Sequence, residues 1–431
     1  MKNRIRNKII EHFISLTKIP HCSKSTDELL VFLEKFAKDR GYLVDIDSVN
    51  NILIKPKKSE PKLALQAHYD MVCMGKAPQI ETFVKEGWMY AKESSLGADN
   101  GMAIAMMMEL MEQGADVAFL LTSDEEIGLV GALAIELKLS ASFMLNLDFE
   151  DEGLVCIGCA GGADLLAEKL FLEAEPYDYN YEVSILGLQG GHSGVEIHKN
   201  IPNAIKLMAD YLQDKSVKIS SFYGGERRNS IPANATVKLS SKEPLEECSG
   251  VLLTKIESPL EVYESDELLK LLVAFKHGVD GHNNEFNLPD TSINLAIINF
   301  ENGVATIETT PRAMSDEGLS QIIEKNLKLF KEHGFKSSVE YKYPAWKPEV
   351  NSFSSLVNEA MKKEFKESRY EAIHAGLECG VLLNHYPNIK FVSIGPTIVS
   401  PHSTHEKVKL DSVEKIFRVV EEVIRQKSHL K

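Results

Sequence analysis

At 431 residues the chain is longer than one hydrophobic core usually serves, which favours two domains of unequal size. Its 63 acidic against 48 basic residues leave a formal charge of −15, which repels nucleic-acid phosphates and anionic membrane surfaces. The composition, 44% apolar and 26% charged, is that of a globular protein, and the absence of any run of about 18 apolar residues excludes an ordinary transmembrane helix.

The basic start MKNRIRNK leads into apolar residues interrupted by Glu11 and His12, so no signal-peptide core is expected and the location expected is cytoplasmic. Ile5, Ile9, Phe13 and Leu16 recur at helical spacing before Pro20. A second helix is predicted to open on Ser25, with Glu28 at capping-box spacing, and to stop at Gly41. Four apolar runs then read as buried strands, at 63–67, 117–122, 143–147 and 390–394. Helical stretches separate the first three, notably Asn100 to Gly114, which implies crossovers and a mostly parallel sheet. The Met cluster at 106–108 within that stretch reads as core packing.

Residues 178–345 differ in character, with YEVSILGLQGGHSG, a helical stretch from Pro202 to Leu212, and the strand-like ATVKLS and GVATIETT. They are read as an inserted α+β domain, the chain returning to the first domain through Pro344, Trp346 and Pro348. The expected organisation is an α/β catalytic domain at 1–177 and 346–431, with helices on both faces of its sheet, plus the insertion at 178–345. The six cysteines, Cys22, Cys73, Cys156, Cys159, Cys248 and Cys379, are scattered and do not suggest a disulfide framework. The single CxxC at Cys156 and Cys159 lacks the second pair of a zinc ribbon.

Each apolar run ends in polar residues, and in open α/β sheets the carboxyl ends of strands line the site. His68 and Asp70 leave one strand on the same face, so that one could bind a metal while the other orients it. Asp99, in LGADNG before an apolar helix, suits an N-cap or, with glycines at 97 and 101 permitting close approach, a buried carboxylate ligand. Glu125 and Glu126 stand together in TSDEEIG with no nearby Lys or Arg, so they are solvated, proton-sharing or metal-bound. Asp148 and His402 complete the set. His68, Asp99, Glu126, Asp148 and His402 make a mixed imidazole and carboxylate group suited to zinc, manganese or cobalt, leaving Glu125 to move protons.

HYDMV, SLGADNG, TSDEEIGLVGA, NLDFEDEG, GCAGGAD, GLQGGHSGVEIHKN, GGERRNSIP, YPAWKP, HAGLECG and SIGPTIVSPHSTHE together resemble, in order and over nearly the whole chain, the dinuclear-metal exopeptidases that include aminoacylase and carnosinase. Within them they are most similar to the aminoacyl-histidine dipeptidases. The CMGKAP that follows HYDMV departs from the loop usual there, and His405 stands at a commonly acidic position.

The resemblance implies a zinc-exopeptidase-like catalytic domain with a lid and dimerisation insertion, and two divalent ions, zinc first. His68, Asp99 and Asp148 would hold one ion, and Asp99, Glu126 and His402 the other. Asp70 would orient the histidine, Glu125 would be the general base toward a metal-activated water, and His192 would stabilise the oxyanion. Asn229, Arg312, His374 and Glu378 would contact substrate. The expected reaction is hydrolysis of dipeptides, Xaa-His favoured, with N-acyl amino-acid deacylation, broad aminopeptidase action or noncatalytic peptide binding as alternatives. The expected partners are short peptides and a second copy of the chain through the inserted domain, with neither nucleic acid nor membrane.

Overall fold

The computed structural model describes residues 2–427. The chain forms two compact units: Met1–Gly158 with Pro348–Ala372 and Leu377–Lys431, and Cys159–Lys347 with Ile373–Gly376.

In the first unit the four apolar runs become the strands Leu63–His68, Ala118–Thr122, Phe143–Asn146 and Lys390–Ser393. All six residues of Leu63–His68 are buried, so both faces of that strand are covered, which explains its unbroken apolar pattern. The four pair in parallel with Leu63–His68 between Ala118–Thr122 and Phe143–Asn146, and Lys390–Ser393 beyond. Parallel pairing places His68 opposite Thr122, and Gln66 opposite Asn146, so the residues that follow these strands emerge along one edge. Ile52–Pro56 and Tyr42–Ile46 continue the sheet antiparallel on one side; Leu154–Cys159, antiparallel to Lys390–Ser393, and then Arg369–Ile373 complete eight strands on the other.

The helix Ala98–Glu112 is buried almost all round, Met106, Met107 and Met108 included, which makes the methionine cluster core packing. The helix Asp27–Asp39 starts one residue later than the Ser25 and Glu28 spacing predicts, with Thr26 at its N-cap and no side-chain cap. The Ser25 N–H instead closes a turn to the Cys22 carbonyl at 2.8 Å. A small sheet in the order Ile398–Val399, Lys407–Lys409, Trp88–Ala91 and Thr82–Lys85 presents residues 400–406 as the loop between its first two strands. Cys22 and Cys73 form a disulfide, while Cys156, Cys159, Cys248 and Cys379 remain thiols.

The second unit is built on an eleven-stranded antiparallel sheet, with the helices Ala204–Leu212, Asp266–Ala274 and Asp316–Glu332. Its core joins sheet residues such as Val237, Phe222 and Phe300 to helix residues Met208, Leu268 and Phe330. This unit starts at Cys159 and not near residue 178, because Gly161–Leu170 is hydrogen-bonded between Val304–Ala313 and Lys336–Tyr343. Among the described residues no helix is long and apolar enough to cross a membrane.

Candidate metal centre

His68 closes its strand and is 1% exposed. Its Nδ1 donates to the backbone carbonyl of Asp70 at 3.0 Å, which turns Nε2 toward Asp99 Oδ1 at 3.2 Å and Asp148 Oδ1 at 3.3 Å. The Asp70 carboxylate lies 3.5 Å from Nδ1 and accepts Ser23 Oγ at 2.8 Å, the Glu125 amide at 2.9 Å and the Glu126 amide at 3.3 Å. Asp70 therefore positions the turn bearing both glutamates as well as the imidazole.

Asp99 is not a helix cap. The N-cap position is Gly97 at φ +72°, while Asp99 holds φ −86° and ψ 104°, outside the helical range. A Cβ at Gly97 would meet Met71 Sδ at 2.9 Å, so this glycine provides the close approach as well as the left-handed turn. Asp99 faces His68 with Oδ1 and His402 with Oδ2, the latter at 3.0 Å, and His402 Nε2 is also 2.9 Å from Glu126 Oε2. Two groups result, His68 with Asp99 and Asp148, and Asp99 with Glu126 and His402; within each the donor atoms lie within 4.8 Å of one another. A third such group, His68 with Glu125 and Glu126, puts Glu125 beside both.

Burial dominates the electrostatics. It pushes the Glu125 carboxyl well above its ordinary range, His68 opposing and Glu126 and Asp148 adding to it. Burial and the Asp99 charge raise Glu126 to about 7, and burial raises Asp148. Against its own burial, His402 is raised to about 11 by its hydrogen bonds to Asp99 and Glu126. Among the described residues no Lys or Arg pairs with these carboxylates, and Glu126 Oε1 is buried without a hydrogen-bond partner. The group at His12, Glu109 and Glu112 differs in this respect, since Lys8 lies 3.3 Å and Arg40 2.7 Å from Glu112 and balance its charge. The Asp99 centre thus has the donors, the excess negative charge and the orphaned oxygen that divalent cations would satisfy.

Three contributors carry no sequence signal of their own. Asn100 Nδ2 donates to Asp148 Oδ1, and Glu150 is raised well above its ordinary range by burial and by Asp99 and Asp148. Glu406, 2% exposed in the loop that carries His402, accepts the amides of Leu96 at 2.7 Å, Gly97 at 3.0 Å, Ala98 at 2.8 Å and Asp99 at 3.3 Å. Burial raises its pKa, with the amides opposing.

Glu378, expected to face substrate, is instead wholly buried in the first unit. Its Oε2 accepts Gln66 Nε2 at 2.5 Å and Thr122 Oγ1 at 2.8 Å, and Oε1 has no hydrogen-bond partner. The other four expected residues belong to the second unit. His192 Nδ1 accepts the amides of Gly194 and Val195, both at 3.2 Å, which leaves the proton on Nε2. The next amide, Ser193, bonds the Asn229 carbonyl at 2.8 Å. Asn229 and Arg312 line one cavity with Tyr343, and Arg312 Nη1 donates to the Tyr343 hydroxyl at 2.6 Å. A Cβ at Gly162 would lie 2.4 Å from that hydroxyl, so glycine makes room for it. His374 Nε2 lies 2.7 Å from Ser292 Oγ, and burial, then Arg312, lower its pKa to about 3, so it is neutral.

Residues 64–426 match the model of peptidase family M20/M25/M40. The chain is 31% identical to the cytosol non-specific dipeptidase of Escherichia coli (strain K12), with 96% of each chain covered. The crystal structure of aminoacylhistidine dipeptidase from Vibrio alginolyticus superposes with a TM-score of 0.80 at 28% identity, over 97% of this chain and 96% of that one. Human carnosine dipeptidase 1 shares the fold, with a TM-score of 0.55 at 11% identity over 99% of this chain and 100% of that one. With a family match over most of its length and a relative above 30% identity across nearly all of it, the chain belongs to peptidase family M20/M25/M40.

Proposed function

We propose that this peptidase is a cytoplasmic two-metal dipeptidase that prefers Xaa-His substrates. The observation that carries the reading is the pair of histidine and carboxylate groups sharing Asp99, next to Glu125 and without a basic partner. The names of two relatives support the substrate class, one a non-specific dipeptidase and the other an aminoacylhistidine dipeptidase.

His68, Asp99 and Asp148 would hold one cation, and Asp99, Glu126 and His402 the other. Bound there, two divalent cations supply Lewis-acid polarisation of the scissile carbonyl and acidification of a water. Glu125, half-buried and held by its amide to Asp70, takes a proton from the attacking water on its carboxylate and passes it to the departing amine. His68 is fixed as a ligand through Nε2 by its Nδ1 bond to the Asp70 carbonyl. The His192 Nε2–H is a donor for a developing oxyanion, and the Arg312 fork suits a peptide carboxylate.

The test compares Gly-His and β-Ala-His with a non-histidine dipeptide and an N-acetyl amino acid, after metal removal and after restoring zinc or manganese. Metal-dependent cleavage favouring the histidine dipeptides is expected. Equal rates on all dipeptides would remove the histidine preference, and action only on the acetylated compound would move the reaction to deacylation.

A further inference from the structure

The disulfide joins Cys22 and Cys73 across 51 residues, and both are half-buried, within reach of small solutes. Cys22 lies in the loop after the first helix, where the Met71 amide bonds the His21 carbonyl at 3.1 Å and the Ser23 amide bonds the Met71 carbonyl at 3.2 Å. The two residues after Cys22 reach the turn that carries the glutamates. Ser23 Oγ donates to Asp70 Oδ2 at 2.8 Å, and the Lys24 amide donates to Asp124 Oδ1 at 2.6 Å. Asp70 in turn receives the Glu125 and Glu126 amides, and Asp124 immediately precedes Glu125. Lys24 at φ +67° and Asp124 at φ +50° both hold left-handed backbone, which these contacts maintain.

On the other side, Cys73 lies between Val72, whose carbonyl accepts Ser95 Oγ at 2.7 Å, and Met74, whose amide donates to Ser95 Oγ at 3.1 Å. Ser95 begins the approach to Asp99. The disulfide thus fastens together three segments that hold the metal-type donors, and it does so through CMGKAP, the loop that departs from the family pattern. Disulfides in reducing compartments are usually transient and redox-sensing, and accessible ones exchange with small thiols.

We propose that Cys22 and Cys73 form a thiol–disulfide exchange site for low-molecular-weight thiols and disulfides, and that its state sets how firmly the Asp99 centre retains metal. This rests on the reading of that centre as the metal site. In the reducing direction, one thiolate attacks either sulfur, forming a mixed disulfide and releasing the other cysteine as a thiolate, which takes a proton. A second thiolate attacks the small-molecule sulfur, forming the small disulfide and releasing the second cysteine. Two thiols are oxidised, and the protein bond is reduced by two electrons.

The test equilibrates the full chain, loaded with manganese(II), in oxidised or reduced glutathione buffers. Thiols are alkylated and mapped by mass spectrometry, and manganese retention is measured against graded EDTA. Alkylation at Cys22 and Cys73 is expected to follow the buffer. Reduction is expected to weaken retention about tenfold, the scale of losing one outer-shell support. A variant carrying Cys22→Ser and Cys73→Ser is expected to hold manganese at the reduced level in both buffers; Cys73→Ala alone replaces it if that variant does not fold. A pair that does not interconvert, or equal retention in two forms verified by alkylation, overturns the proposal. Absence of peptide hydrolysis in both forms would count against the dipeptidase reading and leave these two readouts intact.

Discussion

Glu406→Gln tests how the His402 loop and the Asp99 segment are held together. Each carboxylate oxygen accepts two backbone amides, Oε2 from Leu96 and Gly97, and Oε1 from Ala98 and Asp99. Glutamine presents one oxygen and one NH2, so in either orientation two amides meet a donor. Hydrogen bonds to a charged acceptor contribute about 1.5–3 kcal/mol each, and the longer member of either pair contributes least, so the expected loss is about 3 kcal/mol. Because Asp99 is anchored by one of these amides, manganese affinity is expected to fall by about tenfold or more. Urea unfolding of wild type and variant, with and without manganese, reads both terms. An unchanged unfolding midpoint together with unchanged manganese affinity would refute the reasoning.

Glu125→Gln is expected to lower kcat by about a hundredfold to ten-thousandfold while metal content by elemental analysis stays the same; loss of metal would make Glu125 a ligand instead of a base. Glu378 is held at about 7 by burial, above its ordinary 4.5, so its protonation favours the folded state below pH 4.5 and that contribution fades as pH rises to about 7. Glu378→Gln is therefore expected to flatten the pH dependence of metal-free stability over that window, with a gain of up to about 3 kcal/mol above it; denaturation at several pH values reads the slope, and an unaltered slope contradicts it. Tyr343→Phe removes the hydroxyl that holds the Arg312 guanidinium and is expected to raise KM for dipeptides by about tenfold with kcat little changed. A fall in kcat with KM constant would place Tyr343 elsewhere in the reaction.

The convergence of His68, Glu126 and Asp148 was legible because continuous apolar runs identify buried parallel strands, whose ends share an edge. Asp99 and His402 gained weight only as members of the five-residue set, since a carboxylate before a helix and a histidine in a loop are commonplace alone. Glu406 was not legible: its partners are backbone amides some 300 residues away, and backbone carries no sequence signature. The same holds for Ser23 and its bond to Asp70. Glu378 was misplaced because its motif suggests a surface loop, whereas its true partners, Gln66 and Thr122, lie on strands that the apolar pattern marks only as interior. The early start of the second unit was missed because Gly161–Leu170 pairs with strands more than 130 residues later in the chain.

The most direct measurement of the central claim counts metal and activity together. Metal-depleted protein is titrated with manganese(II), and bound ions per chain are read by elemental analysis alongside Gly-His hydrolysis. Two ions per chain, with hydrolysis appearing as the second is bound and both lost in Asp99→Ala, is the expected result. Binding of fewer than two ions at saturation, or two ions retained in Asp99→Ala, would contradict a centre built around that shared carboxylate.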